Sequence, residues 1–213
     1  MRAYAVEGLD CSGKKTIANI VQKRLGELGV DATIVIGPLV GGRLGQLDAR
    51  LSNIVVPVRR TGLTDISRRT LYVAEPMIDR IAAANSRAAL KISTHFRAWA
   101  RAEVEHDQWM IRAYSATAPV HVRYAGAALL ATDFSTRLRR HNADYLAGRT
   151  TKIAERRFLG PDRQAFACWH QHLDRLMARH VSRLLRLDSS EPEPSQLAEN
   201  VVHHALACWN IEP

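Results

Sequence analysis

The chain has few cysteines, few aromatic residues and no long apolar run. Its three cysteines, Cys11, Cys168 and Cys208, lie far apart in 213 residues, which argues against a disulfide scaffold and against a closely spaced zinc site. No apolar stretch approaches the roughly 18 residues of a membrane-spanning helix. The chain also opens on a predicted strand rather than on a signal-peptide pattern. We therefore expect no membrane association and a reducing, cytoplasmic compartment.

Acidic residues are outnumbered: 21 Asp and Glu face 30 Lys and Arg, for a net charge of +9. Such a charge attracts polyanions. The basic residues are nevertheless spread along the chain in runs of at most two, and aromatic residues make up only 6%, too few for a platform on which bases stack. A nucleic-acid-binding module is thus an alternative that the sequence does not favour.

The most informative segment is residues 7–16, Glu-Gly-Leu-Asp-Cys-Ser-Gly-Lys-Lys-Thr. Gly8, Gly13 and Lys14 fit the phosphate-loop template G-x-x-x-x-G-K-[ST]. An apolar run precedes the loop, and apolar residues at helical spacing follow it, as expected for a strand, a loop and a helix. The final position of the template departs, because Lys15 stands where a hydroxyl normally binds Mg²⁺.

A phosphate loop binds anions through backbone N–H groups at the start of a helix, where the helix dipole also favours negative charge. Lys14 is predicted to reach the β- and γ-phosphates. The segment therefore predicts an ATP site, whose contacts we expect from Gly8, Cys11, Ser12, Gly13, Lys14, Lys15 and Thr16.

Strand and helix signals alternate along the chain, which predicts an α/β fold with a parallel sheet between helices. Together with the phosphate-loop motif, this pattern predicts a single three-layer P-loop NTPase domain over residues 1–213, with five strands in the sheet. The predicted strands are Ala3–Glu7, Ala32–Ile36, Leu90–Thr94, Ala127–Ala131 and Leu184–Leu187. The predicted helices are Lys14–Leu28, Gly45–Leu51, Asp65–Arg87, Phe96–Ala113, Ser135–Leu146, Arg163–His180 and Ser195–Trp209. Residues 121–124 are compatible with either a further strand or a connector.

The opening motif, Glu-Gly-Leu-Asp-x-Ser-Gly-Lys-x-Thr, resembles that of the thymidylate kinase family, which are P-loop nucleoside monophosphate kinases. Three later segments resemble the family more weakly and in the same order. They are the proline-glycine turn at Pro38–Gly45, the helix start at Asp133–Arg140, and an arginine-bearing lid at Arg149–Phe158 within residues 141–162.

The resemblance implies ATP and Mg²⁺ as cofactors, a nucleotide or related phosphorylated small molecule as acceptor, and a homodimer. It implies catalytic roles for Lys14, Arg97, Arg149 and Arg156. It places Asp10, Pro38, Tyr72 and Arg97 at the acceptor, and Arg149, Lys152 and Arg157 at the ATP phosphates.

Several positions depart from the family pattern. Gly37 replaces the glutamate before the turn, Glu75-Pro76 replaces an Asp-Arg pair in the acceptor helix, and Arg97 lacks its neighbouring aspartate. These changes predict an acceptor other than plain thymidylate.

Lys15 leaves three interpretations open: Mg²⁺ is held by nucleotide and water alone, Lys15 turns away, or catalysis is weak or lost. We therefore carry two main hypotheses, a kinase of altered acceptor and a nucleotide-binding protein without turnover.

Overall fold

The computed structural model describes residues 2–36, 62–83, 88–92, 94–148, 163–190 and 193–211. In these ranges five parallel strands form one sheet in the order β2-β3-β1-β4-β5, which confirms the predicted fold class. The strands are β1 (Ala3–Gly8), β2 (Ala32–Ile36), β3 (Ala88–Ile92), β4 (Gly126–Ala131) and β5 (Leu184–Asp188). The inner strands β1, β3 and β4 are almost fully buried, as expected for a parallel sheet covered on both faces, whereas the edge strands β2 and β5 are partly exposed.

The described helices follow the strands as the hydrophobic spacing predicts. They are α1 (Lys14–Glu27), α2 (Gly62–Ala83), α3 (His95–Val104), α4 (Gln108–Thr117), α5 (Phe134–Leu146), α6 (Arg163–His180) and α7 (Pro194–Trp209), with a short 3₁₀ turn at Ala118–Val120. The connector interpretation holds for residues 121–124, which form no strand. The predicted helix Gly45–Leu51 lies outside the described residues.

One predicted helix, Phe96–Ala113, is wrong, because the chain breaks into α3 and α4. His106 adopts the left-handed conformation with φ of 55°, which a helix cannot contain. Asp107 then caps α4, with its Oδ1 accepting a hydrogen bond of 3.2 Å from the backbone N–H of Met110. Local capping therefore outweighs the apolar spacing that continues across the break.

Two apolar cores cover the two faces of the sheet. One packs α2, α3, α4 and α6 against one face, and the other packs α1 and α7 against the opposite face. None of the helices in the described ranges combines the length and apolarity that crossing a lipid bilayer requires. The result is a helix–sheet–helix arrangement in three layers.

Strand β1 lies in the centre of the sheet, with β3 on one side and β4 on the other. The strand order reverses there, and in open α/β sheets ligands bind outside the carboxyl ends of the strands at such a reversal. The loop between β1 and α1 starts at this edge, so the fold places the phosphate-loop motif where a ligand is expected.

Candidate functional site

The backbone of the loop requires glycine at both ends of the motif. Gly8 ends β1 with φ of 155°, and a Cβ there would lie 2.6 Å from Ser12 Oγ and 2.7 Å from the carbonyl oxygen of Leu130. Gly13 precedes α1 with φ of 87°, a left-handed conformation that glycine adopts without strain. Cys11 is left-handed as well, with φ of 62°. The loop thus curls tightly and presents the amino end of α1.

Lys14 is buried and turns back into this loop. Its Nζ donates hydrogen bonds of 2.6 Å to the carbonyl oxygen of Gly8 and 2.9 Å to that of Leu9. Burial, reinforced by the nearby charge of Arg97, lowers the pKa of Lys14 to about 8. An ammonium has three N–H donors, so one remains for a ligand oxygen, and an anion placed there would stabilise the charged form.

The other loop residues differ in their exposure. Lys15 and Thr16 are exposed at the start of α1. Ser12 is buried, and its Oγ has no hydrogen-bond partner in the described part of the chain, although its backbone oxygen accepts a 3.1 Å bond from Ser189 Oγ. The position that normally supplies a metal-binding hydroxyl therefore presents an ammonium to solvent.

Glu7 joins the loop to α3, a role that sequence reasoning missed. Its Oε1 accepts a 2.9 Å bond from the backbone N–H of Gly8. Its Oε2 accepts bonds from the backbone N–H and, at 2.8 Å, the hydroxyl of Thr94, the residue that caps α3. A fully buried carboxylate needs such partners, so a glutamate inside an apolar strand was the signal for this connection.

Two residues assigned to the acceptor come together as an ion pair. Arg97 Nη1 donates to Asp10 Oδ1, and each side chain is 27% exposed. Burial alone lowers the pKa of Arg97, but Asp10 and Glu7 outweigh it and raise the pKa. Tyr72 is exposed on α2, and its backbone oxygen accepts a 3.1 Å bond from Tyr114 Oη. Pro38 lies outside the described residues.

Arg137 brings a buried guanidinium against the loop, which the sequence did not reveal. Its Nε donates a 2.6 Å bond to the carbonyl oxygen of Asp10, and its guanidinium carbon lies 4.2 Å from the centre of the Phe166 ring. Nη1 and Nη2 have no hydrogen-bond partner among the residues described. Burial lowers the pKa of Arg137 to about 10, and the side chain is 0% exposed.

Arg140 clamps the same loop from the next turn of α5. Its Nη2 donates a 2.8 Å bond to the carbonyl oxygen of Ser189, and its Nη1 donates a 3.4 Å bond to that of Cys11. Asp133 caps α5 by accepting a 2.9 Å bond from the backbone N–H of Thr136, and its hydrogen bonds lower the pKa of this carboxyl. The segment Asp133–Arg140, which resembles the family's helix start, therefore carries the two arginines, Arg137 and Arg140, that contact the loop.

Glu75 and Asp79 of α2 contact a buried lysine of β3. Lys91 of β3 is 0% exposed, and its Nζ donates bonds of 2.6 Å to Glu75 Oε1 and to Asp79 Oδ2. Asp79 is fully buried, while the neighbouring Arg80 is exposed and donates to the carbonyl oxygen of Pro119. The Glu75 and Asp79 carboxylates therefore neutralise a buried lysine.

A cavity of about 340 Å³ lies away from the loop, between the connector before β4 and the chain leading into β5. His121 lines it and packs against His95, with ring centres 4.8 Å apart. Burial lowers the pKa of His95 well below its ordinary value and that of His121 to about 4. His95 follows β3 and so is a candidate general base by position, but its burial against other aromatic rings supports a structural role.

Comparison with known proteins finds similarity in structure alone. No protein-family model matches the sequence, and no curated protein matches it. Among 228 matching chains of solved structures is a deoxyadenosine kinase from M. mycoides, solved with the products dCMP and a flexible dCDP bound. It has a TM-score of 0.59 and 13% sequence identity, over 96% of this chain and 99% of that chain. This chain has the fold of a P-loop kinase.

The P-loop kinase fold implies Mg²⁺, but the donors described here do not fit a resident ion. Lys15 replaces the hydroxyl, Glu7 has both oxygens in hydrogen bonds to protein, and Asp10 is paired with Arg97. Within the described ranges no group of three or more His, Cys, Asp or Glu side chains is placed to hold a metal.

The lid of this P-loop kinase fold remains a prediction from sequence. Residues 141–148 complete α5 and the turn after it. The basic residues assigned to the lid lie outside the described residues; they are Arg149, Lys152, Arg156 and Arg157.

Proposed function

We propose that the protein is an ATP-dependent phosphotransferase whose acceptor is a nucleoside, a nucleotide or a related small molecule, and not plain thymidylate. The observation that carries this proposal is the Gly8–Thr16 loop, with Lys14 held inside it at the amino end of α1. Phosphoryl transfer depends mainly on positioning groups and stabilising charge, and the loop offers backbone donors and a fixed ammonium for both purposes.

The ion pair of Asp10 with Arg97 is the proposed acceptor side. Both side chains are partly exposed, so a ligand can reach them, and both adjoin the loop. Asp10 would accept a hydrogen bond from a sugar hydroxyl, while Arg97 would bind an acceptor phosphate. The deoxyadenosine kinase of the same fold was solved with the deoxycytidine nucleotides dCMP and dCDP, which supports deoxynucleosides and their monophosphates as the first acceptors to test.

Arg149, Lys152, Arg156 and Arg157 complete the proposal as lid residues that close over the ATP phosphates. The likeness to thymidylate kinases remains part of the same hypothesis, since it depends on the opening motif and on the order of the weaker segments.

The direct test supplies ATP and Mg²⁺ with a panel of deoxynucleosides, ribonucleosides and their monophosphates, and detects phosphorylated products by mass spectrometry. We expect product from at least one acceptor. Lys14→Met is expected to lower kcat/KM by about 100-fold, the upper range for a hydrogen bond to a charged group. The control Lys23→Met removes an exposed lysine of α1 and should leave the rate unchanged. No product from any acceptor would remove the kinase proposal.

A nucleotide-binding protein without turnover is the second candidate, and the exposed Lys15 at the hydroxyl position favours it. This candidate predicts that wild-type protein binds ATP but forms no product. If Lys15→Ser alone restores product formation with Mg²⁺, the scaffold is otherwise competent and the second candidate is supported. Product from the wild type would exclude it.

A further inference from the structure

We propose that Arg137 and Lys14 form a fixed cationic site that neutralises the phosphates of the bound nucleotide, so that this loop binds a nucleoside polyphosphate without Mg²⁺. The inference rests on the proposed function for the identity of the ligand. It concerns binding alone and does not require turnover.

The first step is the position of Arg137. Its Nε bond to the carbonyl oxygen of Asp10 holds the guanidinium against the middle of the loop. Phe166 packs against the guanidinium at 4.2 Å and so restricts its movement. Lys14 Nζ donates to the carbonyl oxygen of Leu9, and Arg137 Nε donates to that of the next residue, Asp10. The two cations therefore contact adjacent residues of the loop.

The second step is the state of the terminal nitrogens. Nη1 and Nη2 of Arg137 are buried and have no hydrogen-bond partner among the described residues. Buried donors are nearly always paired, and an unpaired one disfavours the folded state. A guanidinium fork matches two oxygens of one phosphate. An anion at the loop would therefore satisfy donors that the protein leaves open.

The third step is the balance of charge. The charged side chains that act on Lys14 are the cations Arg97 and Arg137 and the carboxylates Glu7 and Asp10, and Arg140 brings a further cation against the loop at Cys11. Both carboxylates already accept hydrogen bonds from the protein. A magnesium ion prefers carboxylate and water oxygens in octahedral geometry, whereas this surface presents an excess of cations. Polyphosphate charge is thus met by side chains, with Lys15 as a further exposed cation.

The test measures the Kd of ATP and of inorganic tripolyphosphate by titration calorimetry, in excess EDTA and in excess Mg²⁺. The variants are Arg137→Met and the matched control Arg139→Met, which removes an exposed arginine two residues away on α5. For the wild type we expect the two ATP Kd values to agree within about threefold. In EDTA, Arg137→Met should weaken both ligands by about 10- to 100-fold, as expected for charge-assisted bonds, and Arg139→Met by less than about twofold.

A thermal melt separates this role from a structural one. Removing a buried cation with unpaired donors is expected to leave the unliganded Tm unchanged or raised, while the rise in Tm on adding tripolyphosphate should be lost. If Arg137→Met lowers the unliganded Tm and binds ATP as the control does, Arg137 is structural and the proposal is overturned.

Two further outcomes decide the remaining cases. If Arg137→Met does not fold, Arg137→Lys carries the test: we expect its ATP Kd in EDTA to rise about 3- to 10-fold through loss of the fork, and an unchanged Kd overturns the proposal. Wild-type ATP binding that tightens about tenfold or more with Mg²⁺ also overturns it, since metal would then supply the missing charge. Absence of kinase product leaves these binding results unaffected, so the two proposals fail separately.

Discussion

Lys91 and Arg137 are both fully buried cations, but their surroundings differ. Lys91, on the inner strand β3, donates 2.6 Å bonds to the carboxylates of Glu75 and Asp79. Arg137, on α5, has one carbonyl oxygen and one aromatic ring, with its terminal nitrogens unpaired in the described structure. A buried charge needs compensation. The protein itself compensates Lys91, whereas Arg137 is left with donors that suit an anionic ligand.

This difference separates residues that support the fold from residues that serve the site. In the sequence, Glu75-Pro76 of α2 stands in place of the Asp-Arg pair of the thymidylate kinase pattern, and in the structure Glu75 and Asp79 neutralise Lys91. The site instead gathers its cations at the carboxyl edge of the sheet, beside Lys14. We therefore expect a substitution of Lys91 to lower the stability of the fold, and a substitution of the cations around the loop to lower the affinity for the ligand.

The largest effect is expected from Lys91→Met, which leaves two buried or half-buried carboxylates without their cation. We expect the free energy of unfolding to fall by about 3–5 kcal/mol, as when one partner of a buried ion pair is removed. Urea denaturation measures the change, and Lys23→Met is the exposed control, expected within about 0.5 kcal/mol of wild type. A loss well below 1 kcal/mol would show that the pairing is not what holds α2 against β3.

The buried histidines His95 and His121 differ from both cations, because their lowered pKa values keep them uncharged near neutral pH. We therefore expect acid to destabilise the folded state. The folded pKa values of His95 and His121 are lowered, so the unfolded chain takes up these protons first as pH falls. Stability is then complete above about pH 6.5 and declines below it, by up to about 1.4 kcal/mol per pH unit for each group. For His121 the decline ends near its folded pKa of about 4.

His95→Leu tests this by removing one titrating group from the core. Denaturation curves between pH 7 and pH 4 should be less steep in pH for His95→Leu than for the wild type. His203→Leu, on an exposed position of α7, is the control and should follow the wild type. Equal pH dependence in all three proteins would contradict the prediction.

The affinity for ATP should depend on pH through Lys14, whose folded pKa is about 8. Bound phosphate favours the ammonium and raises this pKa, so binding takes up a proton at higher pH. Affinity is therefore full below pH 8 and falls above it, by up to about tenfold per pH unit. Calorimetry at pH 7 to 9.5 measures the trend, and Lys14→Met should bind weakly with little pH dependence over this range. A wild-type Kd for ATP that stays constant to pH 9.5 would contradict the prediction that the charge of Lys14 controls binding.

The smallest effect is expected from Lys15→Ser, because Lys15 is exposed. Loss of this screened charge should weaken ATP binding in EDTA by about two- to fivefold, the range for an exposed pair. The new hydroxyl should make binding tighter when Mg²⁺ is added. Lys15→Met, which removes the charge without supplying a ligand, should weaken binding and remain insensitive to Mg²⁺. Identical Mg²⁺ responses in the two variants would show that position 15 does not control the metal.

Much of the fold was readable in local patterns. The glycines of the loop, the strand Ala32–Ile36 and the helix Arg163–His180 appear as predicted, because each depends on the spacing of residues within one segment. The break between α3 and α4 was missed, since apolar spacing continues through it and the left-handed His106 leaves no strong signal in sequence. The lid prediction stays untested, as its basic residues lie outside the described ranges.

The sequence by itself determined the loop, the succession of strands and helices along the chain, and the ammonium at position 15, because these depend on residues that are close together in the sequence. Only the tertiary structure decided how charges pair. Arg137 meets Asp10 across 127 positions of chain, and Glu7 meets Thr94 across 87. Such partners are set by which strands and helices pack together, so the same residue types, buried cations and carboxylates, become a structural triad at Lys91 and a candidate phosphate site at Lys14 and Arg137.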